Sequence, residues 1–175
     1  MSDIGELGND PVPGNVRNGD LETLVQMEAK SIFEWTIAGG ELPRIGLTEG
    51  KSRSGRFSLL VSFGQRAKEF RSVSQVVAVE PGRQYRLSLF YLADLDTEAQ
   101  ILWAVNDKTS GKRIASIGPM VTSAEWRAIL TDLTVPETTD GIEIVLVRDC
   151  ITNSCLASGN LWIDDILLER IDRDK

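Results

Sequence analysis

The sequence predicts an all-β fold, a sandwich of two antiparallel sheets, and three observations carry that reading. Short segments with an apolar period of two alternate with turn signals rich in Gly, Pro and Ser. No amphipathic helical pattern of useful length interrupts them. Two adjacent carboxylates, Asp164 and Asp165, stand between Ile163 and Ile166 in the last apolar segment. Unpaired charge is costly inside a sandwich, so this pair needs a cation, backbone donors or solvent beside it. The acidic segment Asn18-Gly-Asp-Leu-Glu22 near the other end is its natural counterpart. The two ends therefore suggest first and last strands that meet near a bound metal.

Each element follows from its own pattern. Residues 1–15 are acidic and Gly/Pro-rich and read as a flexible leader. Residues 21–30 carry a weak helical pattern. Residues 32–37 are β-rich and end at Gly39 and Gly40. A strand over 56–63 follows the turn at Arg53, Ser54 and Gly55. Residues 73–79 run into Glu80-Pro-Gly-Arg83, a turn that suits a hairpin. Residues 85–91 alternate with Tyr85, Leu87, Leu89 and Tyr91 on one face and Phe90 on the other. Strands over 101–105 and 113–117 flank the turn Lys108-Thr-Ser-Gly-Lys112, which predicts a second hairpin. Further strands are expected over 126–135, 142–148 and 161–168. The total is about ten strands, enough to close or double the sheets against exposed edges.

Composition narrows the function. A length of 175 residues fits one domain with a sizeable core, here placed at residues 16–172. A net charge of −7 argues against nucleic acid, whose phosphates need clustered Lys and Arg. Lys51, Arg53 and Arg56 do cluster, but in what reads as a solvated turn. No apolar run approaches the roughly 20 residues of a membrane span. The first fifteen residues lack the apolar stretch of a signal peptide, which leaves a piece of a secreted protein and a cytoplasmic chain both open. Histidine is absent, which removes His-based nucleophile systems and His-ligated zinc or iron. Cys150 and Cys155 are the only cysteines. They admit a loop disulfide, a reduced structural pair or a redox centre. A disulfide closing so short a loop contributes about 2 kcal/mol and implies an oxidising compartment.

Taken in order, these segments resemble carbohydrate-binding modules of families four, nine and twenty-two. Asn18-Gly-Asp-Leu-Glu22 resembles their opening Asn-Gly-Asp-Phe-Glu, and Trp35 stands where they often carry an early Trp. Ser54-Gly-Arg-Phe-Ser-Leu59 resembles Ser-Gly-Lys-x-Ser-Leu. Val73-x-Gln75 and Pro81-Gly-x-x-Tyr85-x-Leu-Ser88 resemble their counterparts. Trp126 and Val135-Pro136 match the region of the penultimate strands. Trp162-Ile-Asp-Asp-Ile166 resembles the closing Tyr-Ile-Asp-Asp-Val. The resemblance covers nearly all of the chain after the leader and implies a galactose-binding-like jelly roll.

It also implies a structural calcium between the first strand, the Ser-Gly turn and the last strand. Carboxylates would come from Glu22 and Asp164, and backbone oxygens from Asp20 and Lys51. Without a cation, Asp164 and Asp165 accept backbone hydrogen bonds or face solvent. For a glycan, which wants a flat aromatic platform with polar groups at its rim, the candidates are Trp35, Phe90, Tyr91, Trp103 and Arg148. Trp103 lies mid-strand, where a Trp is more often core than platform, while Trp35 reads as either. Trp126 and Trp162 read as packing. Arg148 stands where related xylan binders can carry a Glu, and suits an acidic polymer. The function implied is a non-catalytic polysaccharide-binding module of a larger extracytoplasmic protein. The alternative is a structural or protein-interaction jelly roll. An enzyme would have to use Asp94, Asp96 and Glu98, which read as a charged solvent loop.

Overall fold

A computed structural model of the chain describes residues 12–27, 31–67, 69–151, 153 and 155–172, the side chains of 65–67 excepted. The strands are β1 (Gln26–Met27), β2 (Thr36–Ile37), β3 (Arg44–Glu49), β4 (Phe57–Ala67), β5 (Val73–Ala78), β6 (Gln84–Thr97), β7 (Ala99–Asp107), β8 (Arg113–Ile117), β9 (Ser123–Thr134), β10 (Gly141–Cys150) and β11 (Ala157–Arg170). They form a six-stranded sheet in the order β1-β2-β5-β10-β7-β8 and a five-stranded sheet in the order β3-β4-β11-β6-β9. Every pairing is antiparallel except β1 with β2. Among the described residues there is no helix.

The alternating segments pair as their patterns require. Tyr85, Leu87, Leu89 and Tyr91 of β6 are all buried, with Leu59, Val61 and Phe63 of β4 and Leu161 and Ile163 of β11 on the same inner face. The opposing sheet supplies Ile101, Trp103 and Val105 of β7 and Ile142, Ile144 and Leu146 of β10. Buried phenols keep a partner: the Tyr85 hydroxyl accepts the Glu80 N–H and the Tyr91 hydroxyl the Val121 N–H. The β7–β8 hairpin forms where its turn signal predicts it. Cys150 and Cys155 form the loop disulfide, with a Cα–Cα distance of 5.1 Å.

Several expectations are corrected. The turn Glu80-Pro-Gly-Arg83 does not make a hairpin: β5 lies in one sheet and β6 in the other, so it arches between layers. A turn signal marks a reversal and not which sheet receives the next strand. The weak helical pattern over 21–30 instead contains strand β1, with residues 28–30 outside the described set. Of residues 32–37 only Thr36 and Ile37 are strand. Ser31 to Glu34 form a turn in which Ser31 accepts the N–H of Phe33 and of Glu34. The edge strand β3 has no clear alternation, and only its pairing with β4 makes it a strand. Carboxylates Asp94 and Asp96 lie on β6, which continues beyond the expected strand, and not in a loop. The leader reading falls largely on residues 1–11, outside the described set. Gly14 is already tied in, its N–H bonding the Ala78 carbonyl at 2.7 Å.

Four aspartates set an acid limit to stability. Asp107 accepts the Ser110 hydroxyl, and Asp132, Asp149 and Asp172 pair with Arg86, Arg113 and Arg170 at 2.7–2.8 Å. Each carboxyl is held below its ordinary value, first of all by that hydrogen bond. A depressed folded value contributes stability that is present above the ordinary aspartate value of 3.8 and is lost as pH falls below it. Urea midpoints should therefore hold between pH 6 and 4 and drop below pH 4. A midpoint that is flat to pH 2.5 would count against these pairings.

Candidate functional site

Two places gather the residues singled out by sequence, and they lie against the same N-terminal segment. The first is the turn over residues 51–57. Asp164 on β11 is fully buried, and its carboxylate accepts the backbone N–H of Arg53, Ser54 and Asp165 at 2.8–3.2 Å. Adjacent strand residues normally point to opposite faces. Here Asp165 adopts a left-handed φ of 49° and the β11–β6 register slips between Asp164 and Leu167. That bulge turns both carboxylates toward one turn. Asp165 takes the Ser54 hydroxyl at 2.7 Å and the Arg53 guanidinium at 3.0 Å.

From the other side, Glu22 accepts the N–H of Arg56 and Phe57 at 3.0–3.1 Å. A methyl on Gly55 would collide with that carboxylate. A methyl on Gly19 would collide with the carbonyl of Ile166, whose N–H bonds Gly19 O at 2.8 Å. The two glycines allow the close approach that brings both chain ends together. It is the loop over 18–22, and not the first strand, that meets β11.

Desolvation pushes the Asp164 carboxyl above its ordinary value, against the lowering effect of its three N–H partners. The Lys51 carbonyl lies in the same turn and accepts the Ser58 hydroxyl. Glu22, Asp164 and the Lys51 carbonyl thus all bond within residues 51–58, while Asp20 takes the Glu22 N–H at 3.4 Å and lines the neighbouring recess. Among the described residues no three acidic, His or Cys side chains cluster as metal ligands. A cation here would depend on backbone carbonyls beside the two carboxylates, a set of hard oxygens that fits calcium. The basic residues of this turn do not simply face solvent. The Lys51 ammonium sits 4.0 Å from the Trp162 ring centroid, and the Arg53 guanidinium 3.7 Å from that of Phe90.

The second place is a recess of about 540 Å³ lined by Arg17, Asn18, Asp20, Gln26, Glu34 and Trp35, with Thr23 and Leu24. Trp35 is its aromatic wall, anchored by a 3.1 Å bond from Nε1 to the Asn18 carbonyl. Asn18 is itself fixed by bonds in both directions with the Thr23 backbone. Planar amides, carboxylates and a guanidinium around an indole are what a hydroxyl-rich ligand requires.

The five residues nominated for a glycan do not form one surface. Trp103 and Tyr91 are fully buried and cannot be platforms. Trp103 packs edge-on to Trp35 at 5.8 Å, and its Nε1 has no partner among the described residues. Trp35 is 3% exposed, so it offers an edge and not an open face. Phe90 is half-buried on the outer side of the five-stranded sheet beneath Arg53. Arg148 lies on β10 two residues before its end, bonds the Cys155 carbonyl and lies 5.3 Å from the Phe70 ring. Trp162 is buried, but on the outer face beneath Lys51, since its neighbours Leu161 and Ile163 take the inner one.

Residues 14–149 match the CBM_4_9 family model, described as a carbohydrate binding domain. The chain belongs to this carbohydrate-binding family. No curated protein matches its sequence. Among solved structures it is similar to a CBM4 module, with a TM-score of 0.67, 13% identity, and 90% of this chain and 100% of that one covered. It is similar to TmCBM61, which was solved with β-1,4-galactotriose, at 0.60, 18% identity, and 91% and 100% coverage. It also resembles the CBM22-1-GH10 modules of Clostridium thermocellum xylanase 10B, solved with xylohexaose, at 0.61 and 16% identity. There it covers 91% of this chain and 29% of that one. At such identities the likeness is one of fold.

For this carbohydrate-binding domain, sequence reasoning found Trp35 but missed Arg17, Gln26 and Glu34. The polar residues beside Asn18-Gly-Asp carried a signal only in their nearness to that motif. Gln26 reaches the recess through the β1–β2 pairing and Glu34 from the turn ahead of β2, and no local pattern announces either.

Proposed function

We propose that this chain is a non-catalytic glycan-binding module that holds a larger extracytoplasmic protein against a polysaccharide. The observation that carries the proposal is the polar-rimmed recess against Trp35 in a chain of a carbohydrate-binding family. The sugar complexes of two similar modules, with a galactotriose and a xylohexaose, favour a β-linked polymer. The loop disulfide suits an oxidising compartment. A glycan array in calcium buffer tests this. Glu34→Ala and Gln26→Ala should each weaken binding about tenfold at unchanged melting temperature, because each removes hydrogen bonds to sugar hydroxyls. Absence of binding to every glycan would favour the second reading, a structural jelly roll. That reading draws on the complete burial of Trp103 and Tyr91.

Calcium at the 51–57 turn is part of the proposal. Its support is the set of Glu22, Asp164 and the Lys51 carbonyl, with a buried carboxyl that desolvation alone would leave protonated more readily. A metal held at about a hundred times its Kd adds about 2.7 kcal/mol. Chelation should then lower the melting temperature by roughly 5–10 °C for a chain of this size. An unchanged melt, with no calcium by elemental analysis, would remove the ion from the account.

A further inference from the structure

We infer that Gln75 is a positioning residue of the glycan recess: its buried side-chain amide sets the spacing of the two walls between which a sugar lies. The inference rests on the glycan-binding reading and deepens it. Gln75 does not itself line the recess, so it acts on a ligand only through the residues it holds.

Gln75 lies on β5 and is 1% exposed. Its Oε1 accepts the Arg17 N–H at 2.9 Å, and its Nε2 donates to the Arg17 carbonyl at 2.8 Å. A primary amide carries an acceptor and a donor side by side, as a peptide unit does. The side chain therefore takes the part of a neighbouring strand for the N-terminal segment. The main chain of β5 is not free to take that part. At Ser74 it is paired with Thr36 of β2 on one side and with Val145 of β10 on the other.

From Arg17 the hold passes to Asn18, which adopts a left-handed φ of 52°. The Asn18 carbonyl accepts the Trp35 Nε1–H, and the Asn18 amide bonds the Thr23 backbone in both directions. Arg17, Asn18 and Thr23 make one wall of the recess, and Glu34 and Trp35 make the other. Both walls stand on β5, the first through the Gln75 amide and the second through the β2–β5 pairing that follows Trp35. Without the amide, the Arg17 N–H and carbonyl lose these partners, and the segment must shift toward water to replace them. Such a shift carries Asn18 with it, and with Asn18 the anchor of the indole. Polar groups that read a sugar must be held to within about half an ångström, and a supporting contact of this kind is what holds them.

The test uses the full chain in affinity gels containing β-1,4-galactan or xylan, at temperatures where melting curves show each protein folded. Gln75→Leu should weaken binding roughly tenfold or more. Gln75→Glu gives a readout that lost stability alone would not move. A neutral carboxyl accepts and donates as the amide does, whereas a carboxylate only accepts and would face the Arg17 carbonyl. Burial raises the introduced carboxyl above the ordinary glutamate value of about 4.3. Binding by Gln75→Glu should therefore approach that of the parent at about pH 5 and fall to that of Gln75→Leu by about pH 8. Arg17, Asp20 and Glu34, the charged groups of the recess, are common to both proteins, so affinity is read as a ratio to the parent at each pH. Independently of any sugar, the Trp35 indole N–H, assigned by its loss in Trp35→Phe, should exchange with solvent roughly tenfold faster in Gln75→Leu. Folded Gln75→Leu that binds as the parent does, or a Gln75→Glu ratio that does not change with pH, would overturn the positioning role alone. Failure of the parent to bind either polymer or any glycan on the array would sink the glycan-binding reading, and unchanged indole exchange would then overturn the relay from Gln75 to Trp35 as well.

Discussion

Trp103→Ala should cost about 3–5 kcal/mol of stability and not a sugar contact. The indole is fully buried between the sheets and packs edge-on to Trp35 at 5.8 Å. Its removal leaves a cavity at the centre of the core, where β7 is flanked by β10 and β8 and cannot collapse inward. For a chain of this length such a loss lowers the melting temperature by roughly 10 °C. Trp103→Phe separates packing from polarity. It keeps an aromatic edge against Trp35 and removes an indole N–H that has no partner among the described residues. Its cost should be smaller, about 1–2 kcal/mol, since the lost volume is offset by removing a buried unsatisfied donor. Differential scanning calorimetry of the three proteins decides the matter. A Trp103→Ala variant that melts with the parent yet loses a glycan would place the indole on the surface and contradict the core described here.

Asp164→Ala is expected to be nearly as damaging, at about 3 kcal/mol, because three backbone N–H groups lose their acceptor at once. The N–H groups of Arg53, Ser54 and Asp165 all converge on this one buried carboxylate. Beyond stability, the turn itself should loosen. Lys51 and Arg53, which cover Trp162 and Phe90, ride on it. Quenching of tryptophan fluorescence by acrylamide should therefore rise in Asp164→Ala even well below its melting temperature. Asp164→Asn keeps one good acceptor and should lose less. Equal quenching in parent and Asp164→Ala would show that the turn is held by Glu22 and Asp165 without it.

How much of this was legible in advance depends on the range of the interaction. Local alternation foretold the inner face of β6, because a strand's side chains alternate wherever it lies. The β7–β8 hairpin was equally local. The edge strand β3 was not, since half of what makes it a strand is its partner. The arch at Glu80–Arg83 was misread because the choice of sheet is made by the packed layers.

The same division holds for the candidate site. The sequence by itself determined the sandwich, the pairing of Cys150 with Cys155 as one of its options, and the need of Asp164 and Asp165 for partners. It also suggested the meeting of the two ends, from the acidic segment 18–22 and the Asp164-Asp165 pair, while the fold alone showed that Gly19 and Gly55 sit where no side chain fits. Only the tertiary structure decided which partners those carboxylates take. A bulge at Asp165 rotates both toward a turn more than a hundred residues earlier in the chain. Only the tertiary structure separated Trp103, sealed between sheets, from Trp35, which walls a polar recess. A tryptophan's period and neighbours are the same in either setting. Whether it packs or binds is fixed by what the opposing layer and the loops place over it.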